Sequence, residues 1–326
     1  MSQPTKSQVH VDRILTNISV AYKNEIETFI ADKVFPNVPV TKQSDKYFTY
    51  AKDAFLRAQA ERRSGAAESA GGGYQTSTDS YYCDQFSFHK DVPPDIAANT
   101  DAPLDAFRDA AEFVTHATLL KREADFVAQF FATGVWGKDI TGVSGSPSTD
   151  EVKQWSDYTD GDPIGNIKTA KRYIQARTGK KPNTLVIGPE VEDALLDHPD
   201  IVDKMKYVAI PTPRATRIML AQMFDVERVL VGESVAATSV EGQTITTGFQ
   251  WGKKALLCYS APRPSLMLPS AGYTFSWNVF GNAFGTRISR FPMRHLNNAE
   301  RVEGDMAYDL KVVAADCGYF WTSIVA

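Results

Sequence analysis

The 326-residue sequence contains no apolar run long enough to cross a bilayer, and its first residues, Met1 to Gln8, are polar with no apolar core of a signal peptide. Neither membrane insertion nor export is encoded, and the chain is expected to stay in the cytosol where it is made. Its cysteines, Cys83, Cys258 and Cys317, lie far apart with no CxxC pair. That spacing excludes a zinc ribbon and a disulfide framework and leaves buried thiols as the expectation. A basic excess is missing as well. The net charge of −4 and a pI near 5.8 exclude a surface whose main purpose is to neutralise phosphates.

Catalytic signatures are equally scarce. His10, His89, His116, His198 and His295 fall at no metal-ligand spacing, and His116 reads as a packing or surface residue. The glycines Gly161 and Gly165 ahead of Lys168-Thr169 have the wrong spacing for a phosphate-binding P-loop, and Pro163 interrupts them. Gly142 to Ser146 lacks the second glycine of a nucleophile elbow. The cluster Asp197-His198-Pro199-Asp200 reads as a turn between helices in which Asp197 or His198 satisfies free backbone groups. No cofactor or metal is expected, and no internal repeat is present.

What the sequence does hold is apolar material for a core, 43% of residues against 23% charged, in a length that suits about two domains of roughly 150 residues. The dominant feature runs from Asp101 to Gly134. Phe107, Ala111, Val114, Thr118, Lys121, Ala124, Val127 and Phe131 recur at three and four residues, which predicts a helix from Leu104 to Thr133, about 45 Å long at 1.5 Å per residue. Thr100 or Asp101 is its expected N-cap, with Asp105 in the first turn and Gly134 as the stop. Arg108 with Glu112 and Lys121 with Asp125 sit at ion-pairing distance along it.

Before that helix, Ile18, Tyr22, Ile26, Phe29, Ile30 and Val34 predict a short amphipathic helix that ends before Phe35-Pro36 and forms an arm with little local surface to cover it. Tyr47 to Tyr50 and, after an interruption, Tyr81-Tyr82 with Gln85 to His89 predict two strands able to pair as a long hairpin. The intervening stretch 58–73 is rich in Gly, Ala and Ser and reads as a flexible excursion. After the helix, 138–163 separates two composition regimes. Ile164 to Arg177, Glu190 to Asp197 and Ala215 to Met223 are expected helices, alternating with strands Thr184 to Ile187 and Val226 to Val231. Strands then dominate: Gly248 to Trp251, Ala255 to Tyr259, Tyr273 to Trp277, Lys311 to Val313 and Tyr319 to Trp321. Lys168, Lys171, Arg172, Arg177, Lys180 and Lys181 occur with no acid between Asp162 and Glu190, giving a basic helix face. Arg57, Arg62 and Arg63 on the excursion suit forked contacts with carboxylates of another subunit.

This order of parts resembles the major capsid proteins of tailed bacteriophages, a fold shared with encapsulins and the herpesvirus capsid floor. The residues that carry the resemblance are Asp32 to Val40 followed by Lys46-Tyr47, Asn183 to Ile187 leading to Asp197 to Ile201, and Phe224-Asp225-Val226 to Val231-Gly232. Trp251-Gly252-Lys253, Pro269 to Trp277 and Gly318-Tyr319 continue the match in order. The resemblance implies an α+β capsid-type fold with an N-terminal arm (1–40), an extended β-hairpin loop (41–92), a peripheral domain with a long spine helix (93–145 with 269–326) and an axial α/β domain (146–268). It implies a structural role, not an enzyme's: hexamers and pentamers closing an icosahedral shell around double-stranded DNA, assembled in the host cytoplasm and resident in the virion.

Subunit-interface candidates are Ile18, Ile26, Phe29 and Ile30 on the arm, Arg57, Arg62 and Arg63 on the loop, and Lys168, Lys171 and Arg172 on the basic face. Implied partners are further copies, a portal protein, a separate scaffolding protein or none, and a cementing protein, with weak non-specific contact to packaged DNA and no membrane. Covalent cross-linking through Lys46 or Lys52 and Asn297 or Asn298 with Glu300 is not expected, since these residue types are common on surfaces. Two other readings are an encapsulin-like compartment and a two-domain enzyme using Asp197, His198 and the basic face.

Overall fold

The computed structural model describes residues 23–50, 52–65, 68–100, 104–205, 213–240, 242–265, 268–281, 284–293 and 298–326. The arm leads into β1 (Asn37–Val40). Next, β2 (Ser44–Tyr50) and β3 (Thr76–Tyr82) form an antiparallel hairpin in which Tyr47 faces Asp79 and Tyr50 faces Thr76. β4 (Asp84–Val92) follows. After the long helix, Ala106–Phe130, come β5 (Asp139–Val143) and β6 (Glu151–Lys153), a helix at Pro163–Thr178, and β7 (Thr184–Ile187). Helices Pro189–Asp197, Pro199–Met205 and Pro213–Phe224 precede β8 (Arg228–Val231). A small hairpin, β9 (Val235–Ala237) with β10 (Thr247–Phe249), leads to β11 (Ala255–Cys258), β12 (Gly272–Trp277), β13 (Thr286–Met293), β14 (Ala299–Val312) and β15 (Gly318–Thr322).

Two larger sheets result. In the first, β14 is the hub: β4 lies along one edge, and β13 and β12 share the other edge end to end, with β1 parallel to β12. The long helix packs across this sheet where Gly304 lets it approach, since a Cβ there would stand 2.6 Å from Val114. The second sheet has six strands in the order β6-β5-β15-β11-β7-β8. Its central strands are buried on both faces and alternate accordingly. Leu185, Ile187, Ala255, Leu257, Tyr319 and Trp321 join a core with the helix Pro163–Thr178. Val186, Leu256, Cys258 and Phe320 join the opposite core, with Phe126, Phe130, Phe131 and Trp251.

Several expectations are corrected. The long helix starts at Ala106, because Asp105 accepts the free N–H groups of Phe107 and Arg108 as the N-cap; it ends at Phe130, giving about 37 Å instead of 45. Its buried face is Ala110, Val114, Arg122, Glu123, Phe126 and Phe130. The expected stripe was rotated by about one residue, and of its members only Val114 and Phe131 are buried. Glu112 pairs with Lys23 of the arm instead of Arg108, whereas Lys121 and Asp125 do pair, at 2.6 Å. Within 23–34 there is no continuous amphipathic helix. A 3-10 turn at Ile26–Thr28 and a single turn at Ala31–Val34 stand there instead.

The hairpin partner of Tyr47 to Tyr50 stops at Tyr82. Gln85 to His89 pairs with β14. Finally, β5 and β15 belong to the six-stranded sheet, although the boundaries expected from sequence place them with the spine helix.

Candidate assembly surfaces

The arm is held by the long helix through side chains that project between its apolar positions. The Glu123 carboxylate, 1% exposed, accepts from the backbone N–H groups of Ile30 (3.1 Å) and Ala31 (2.9 Å) and from the Trp251 indole N–H (2.7 Å). Burial raises its pKa above the ordinary carboxylate value, and Asp32 adds to the rise, while these three donors oppose it. Arg122 is turned to Asp32 at 2.6 Å and stacks over Tyr308, whose hydroxyl donates to Asp125. Farther along, His116 Nε2 accepts the Asn24 N–H at 3.1 Å and meets the Phe29 ring edge-on. Beyond the helix, Arg228 and Ser260 both donate to the Val34 carbonyl.

These contacts divide the arm candidates. Phe29, Ile30 and Val34 are buried within their own subunit, so Phe29 and Ile30 leave little apolar surface for a neighbour, contrary to expectation. Ile26 is 72% exposed. Ile18 lies outside the described residues. No periodicity signals Glu123 or Trp251, because a charged residue on a helix reads as solvent-facing and their partners are remote in sequence.

The hairpin carries an exposed apolar cluster. Tyr50, Phe55 and Tyr74 stand with ring centroids 5.8 to 6.0 Å apart, while Phe48, Leu56 and Tyr74 are also exposed. Arg57, Arg62 and Arg63 are exposed beyond them. At the hairpin base, Lys52 pairs with Asp316 at 2.6 Å, and Arg177 reaches the same carboxylate. The Lys52 hydrogen bond is the main reason that this carboxyl lies below its usual range. Between hairpin and body runs a groove of about 810 Å³ lined by Tyr47, Tyr50, Leu56, Leu268, Tyr273 and Phe275 among others.

The basic face is only partly free. Lys168 and Arg172 are exposed. Lys171 instead donates to the carbonyls of Phe224 and Asp225 and to the Asp225 carboxylate (2.6 Å), capping the helix Pro213–Phe224. Arg177 stacks over Tyr173.

His198 is 1% exposed and its Nδ1 accepts the Asp200 N–H, the turn-stabilising role read from sequence. Asp162 caps the helix Pro163–Thr178 by accepting from Gly165. Among the described residues no three His, Cys, Asp or Glu stand together as a metal set. Cys83, Cys258 and Cys317 are buried free thiols, pushed up to about 12 mainly by desolvation. No described helix is long and apolar enough to cross a membrane.

Comparison with known proteins places this architecture. No family model matches the chain. Over 325 residues it is 27% identical to the major capsid protein of Burkholderia phage BcepMu, covering 96% of both chains. Its fold is similar to that of a phage-related protein from Bordetella bronchiseptica RB50, with a TM-score of 0.68 at 22% identity over 92% of this chain and 94% of the other. It is also similar to the capsid of the cyanophage P-SCSP1u, with a TM-score of 0.61 at 10% identity over 98% and 94%. The fold is therefore the mixed α+β fold of tailed-phage capsids.

Proposed function

We propose that this chain is a major capsid protein, whose copies associate into hexamers and pentamers and close an icosahedral shell around packaged double-stranded DNA. The observation that carries this reading is the similarity to a phage major capsid protein across 96% of both chains. Its role is structural and not catalytic.

Physical features of the subunit agree with it. A soluble monomer seldom leaves an apolar cluster such as Phe48, Phe55, Leu56 and Tyr74 in water, and a neighbouring copy would cover it. The arm at 1–40, the loop at 41–92, a spine-helix domain within 93–145 and 269–326, and an axial domain at 146–268 that also takes in β5 and β15 would each bear on different neighbours. The exposed Ile26, Arg57, Arg62, Arg63, Lys168 and Arg172 would be the side chains that do so. A chain of net charge −4 does not grip the DNA it encloses. A portal protein, and scaffolding or cementing proteins where they exist, complete the proposed set of partners, with assembly in the host cytoplasm and residence in the virion.

Electron microscopy of the overexpressed chain in negative stain, followed by nuclease protection of virion contents, tests this. Shells and capsomers are expected. A monodisperse monomer at micromolar concentration, with or without co-expressed scaffold, would refute the reading, and shells filled with protein cargo would favour a compartment instead.

A further inference from the structure

Asn24 joins three parts of the subunit. Its side chain both donates to the Val235 carbonyl (2.8 Å) and accepts from the Val235 N–H (3.2 Å), and its backbone N–H points at His116 Nε2 on the long helix (3.1 Å). An imidazole accepts at Nε2 only when that nitrogen carries no proton. We propose that His116 is an acid-sensitive catch for the arm, closed while the ring is neutral and released when it gains a proton.

The surroundings fix the direction. No carboxylate among the described residues pairs with the ring. On the arm, Lys23 lies nearby and is committed to Glu112, one helical turn before His116; Glu25 follows Asn24. On the β9 side the acid is Glu233, which is held by Arg217. Phe29 covers one edge of the ring. Burial and then the Lys23 charge keep the imidazole below its ordinary value of 6.5. The open arm therefore binds the proton more tightly than the closed one. Retention of the arm is complete above about 6.5 and is lost as pH falls through the lowered value, by at most about tenfold per pH unit for one proton. Glu123, two turns farther along the same helix, acts with the opposite sign, because its pKa is raised in the closed state; its effect is common to wild type and any His116 variant and cancels in their ratio. The catch is a property of the single subunit and does not depend on shell formation.

Hydrogen exchange of the peptide spanning 24–29, corrected for intrinsic rates and followed from pH 7.5 to 4.5, tests it on the full chain. His116→Gln and His116→Asn keep an acceptor oxygen but cannot titrate. Protection in wild type should fall relative to either variant as pH drops below about 6.5, by at most about tenfold per pH unit. A wild-type to variant ratio that stays constant with pH overturns the proposal. Failure of both variants to fold also overturns it, since a catch that can open leaves the subunit intact.

Discussion

Trp251 donates its indole N–H to the Glu123 carboxylate at 2.7 Å, joining residues 128 positions apart. The same carboxylate receives the backbone N–H groups of Ile30 and Ala31, so three donors converge on two oxygens. Glu123→Gln replaces one acceptor oxygen with an NH₂ and sets donor against donor at either Ala31 or the Ile30 and Trp251 pair. Each buried donor left unpaired costs about 1 to 3 kcal/mol. A loss of that order in urea denaturation is expected, and an unchanged midpoint would show that the contact contributes nothing.

Truncation separates the two parts of the arm. Removing residues 1–28 takes away the exposed Ile26 and should leave a folded chain impaired in assembly. Removing residues 1–35 also deletes Phe29, Ile30, Val34 and Phe35, all buried, each at about 1.5 to 3 kcal/mol. Their sum is comparable with the about 5 to 15 kcal/mol that holds a domain folded. Circular dichroism should find the longer deletion unfolded or insoluble; equal stability of the two would contradict this assignment of the core.

On the basic face the residues should part company. Lys171→Ala removes the cap on the helix Pro213–Phe224 and should lower the thermal midpoint of the subunit. Arg172→Ala touches no such contact and should leave it alone. The reverse order would mean that the carbonyl contacts of Lys171 are incidental.

Loop charges should act between copies. Arg62→Glu with Arg63→Glu is expected to change subunit stability by no more than about 0.5 kcal/mol, as exposed substitutions do, while lowering the melting temperature of particles. Particles that melt like wild type would remove these residues from any interface.

Mature particles boiled in denaturant should run as a single band near 36 kDa, with no covalent ladder. Within one subunit Lys52 is paired with Asp316 and Glu300 with Arg290, so neither is idle. A ladder that survives reduction would reverse this expectation.

The legible parts of the fold were those where local chemistry and tertiary packing agree. Thr184 to Ile187 is a buried run, β-branched at Thr184, Val186 and Ile187, ahead of Gly188-Pro189, and the strand lies where the sequence predicts it. The helix Pro163–Thr178 was readable within a residue, with its Pro start and Gly179 at φ +69° as the stop. The rotation of the long helix was not, because Arg122 and Glu123 occupy buried positions that a hydrophobic pattern treats as solvent-facing. Thr286–Met293 escaped notice because its charged residues and Pro292 hide an edge strand whose pairing is set by β14. At the candidate surfaces, exposure of Arg62 and Arg172 could be read from composition, but the capture of Phe29 and Ile30 by the subunit's own helix depends on partners remote in sequence.

The place of β15 governs the order in which this subunit can be made. It lies between β5, to which it runs parallel, and β11, to which it runs antiparallel. Until residues 318–322 have left the ribosome, β5-β6 and β11-β7-β8 are separate ribbons with exposed inner edges, and Trp155 lacks its contact with Trp321. Closure of the sheet therefore waits for residues 318–322, which follow all the strands they join. A chain cut short before this strand keeps a gap in the middle of its sheet, so polypeptides that complete the fold are those translated through it.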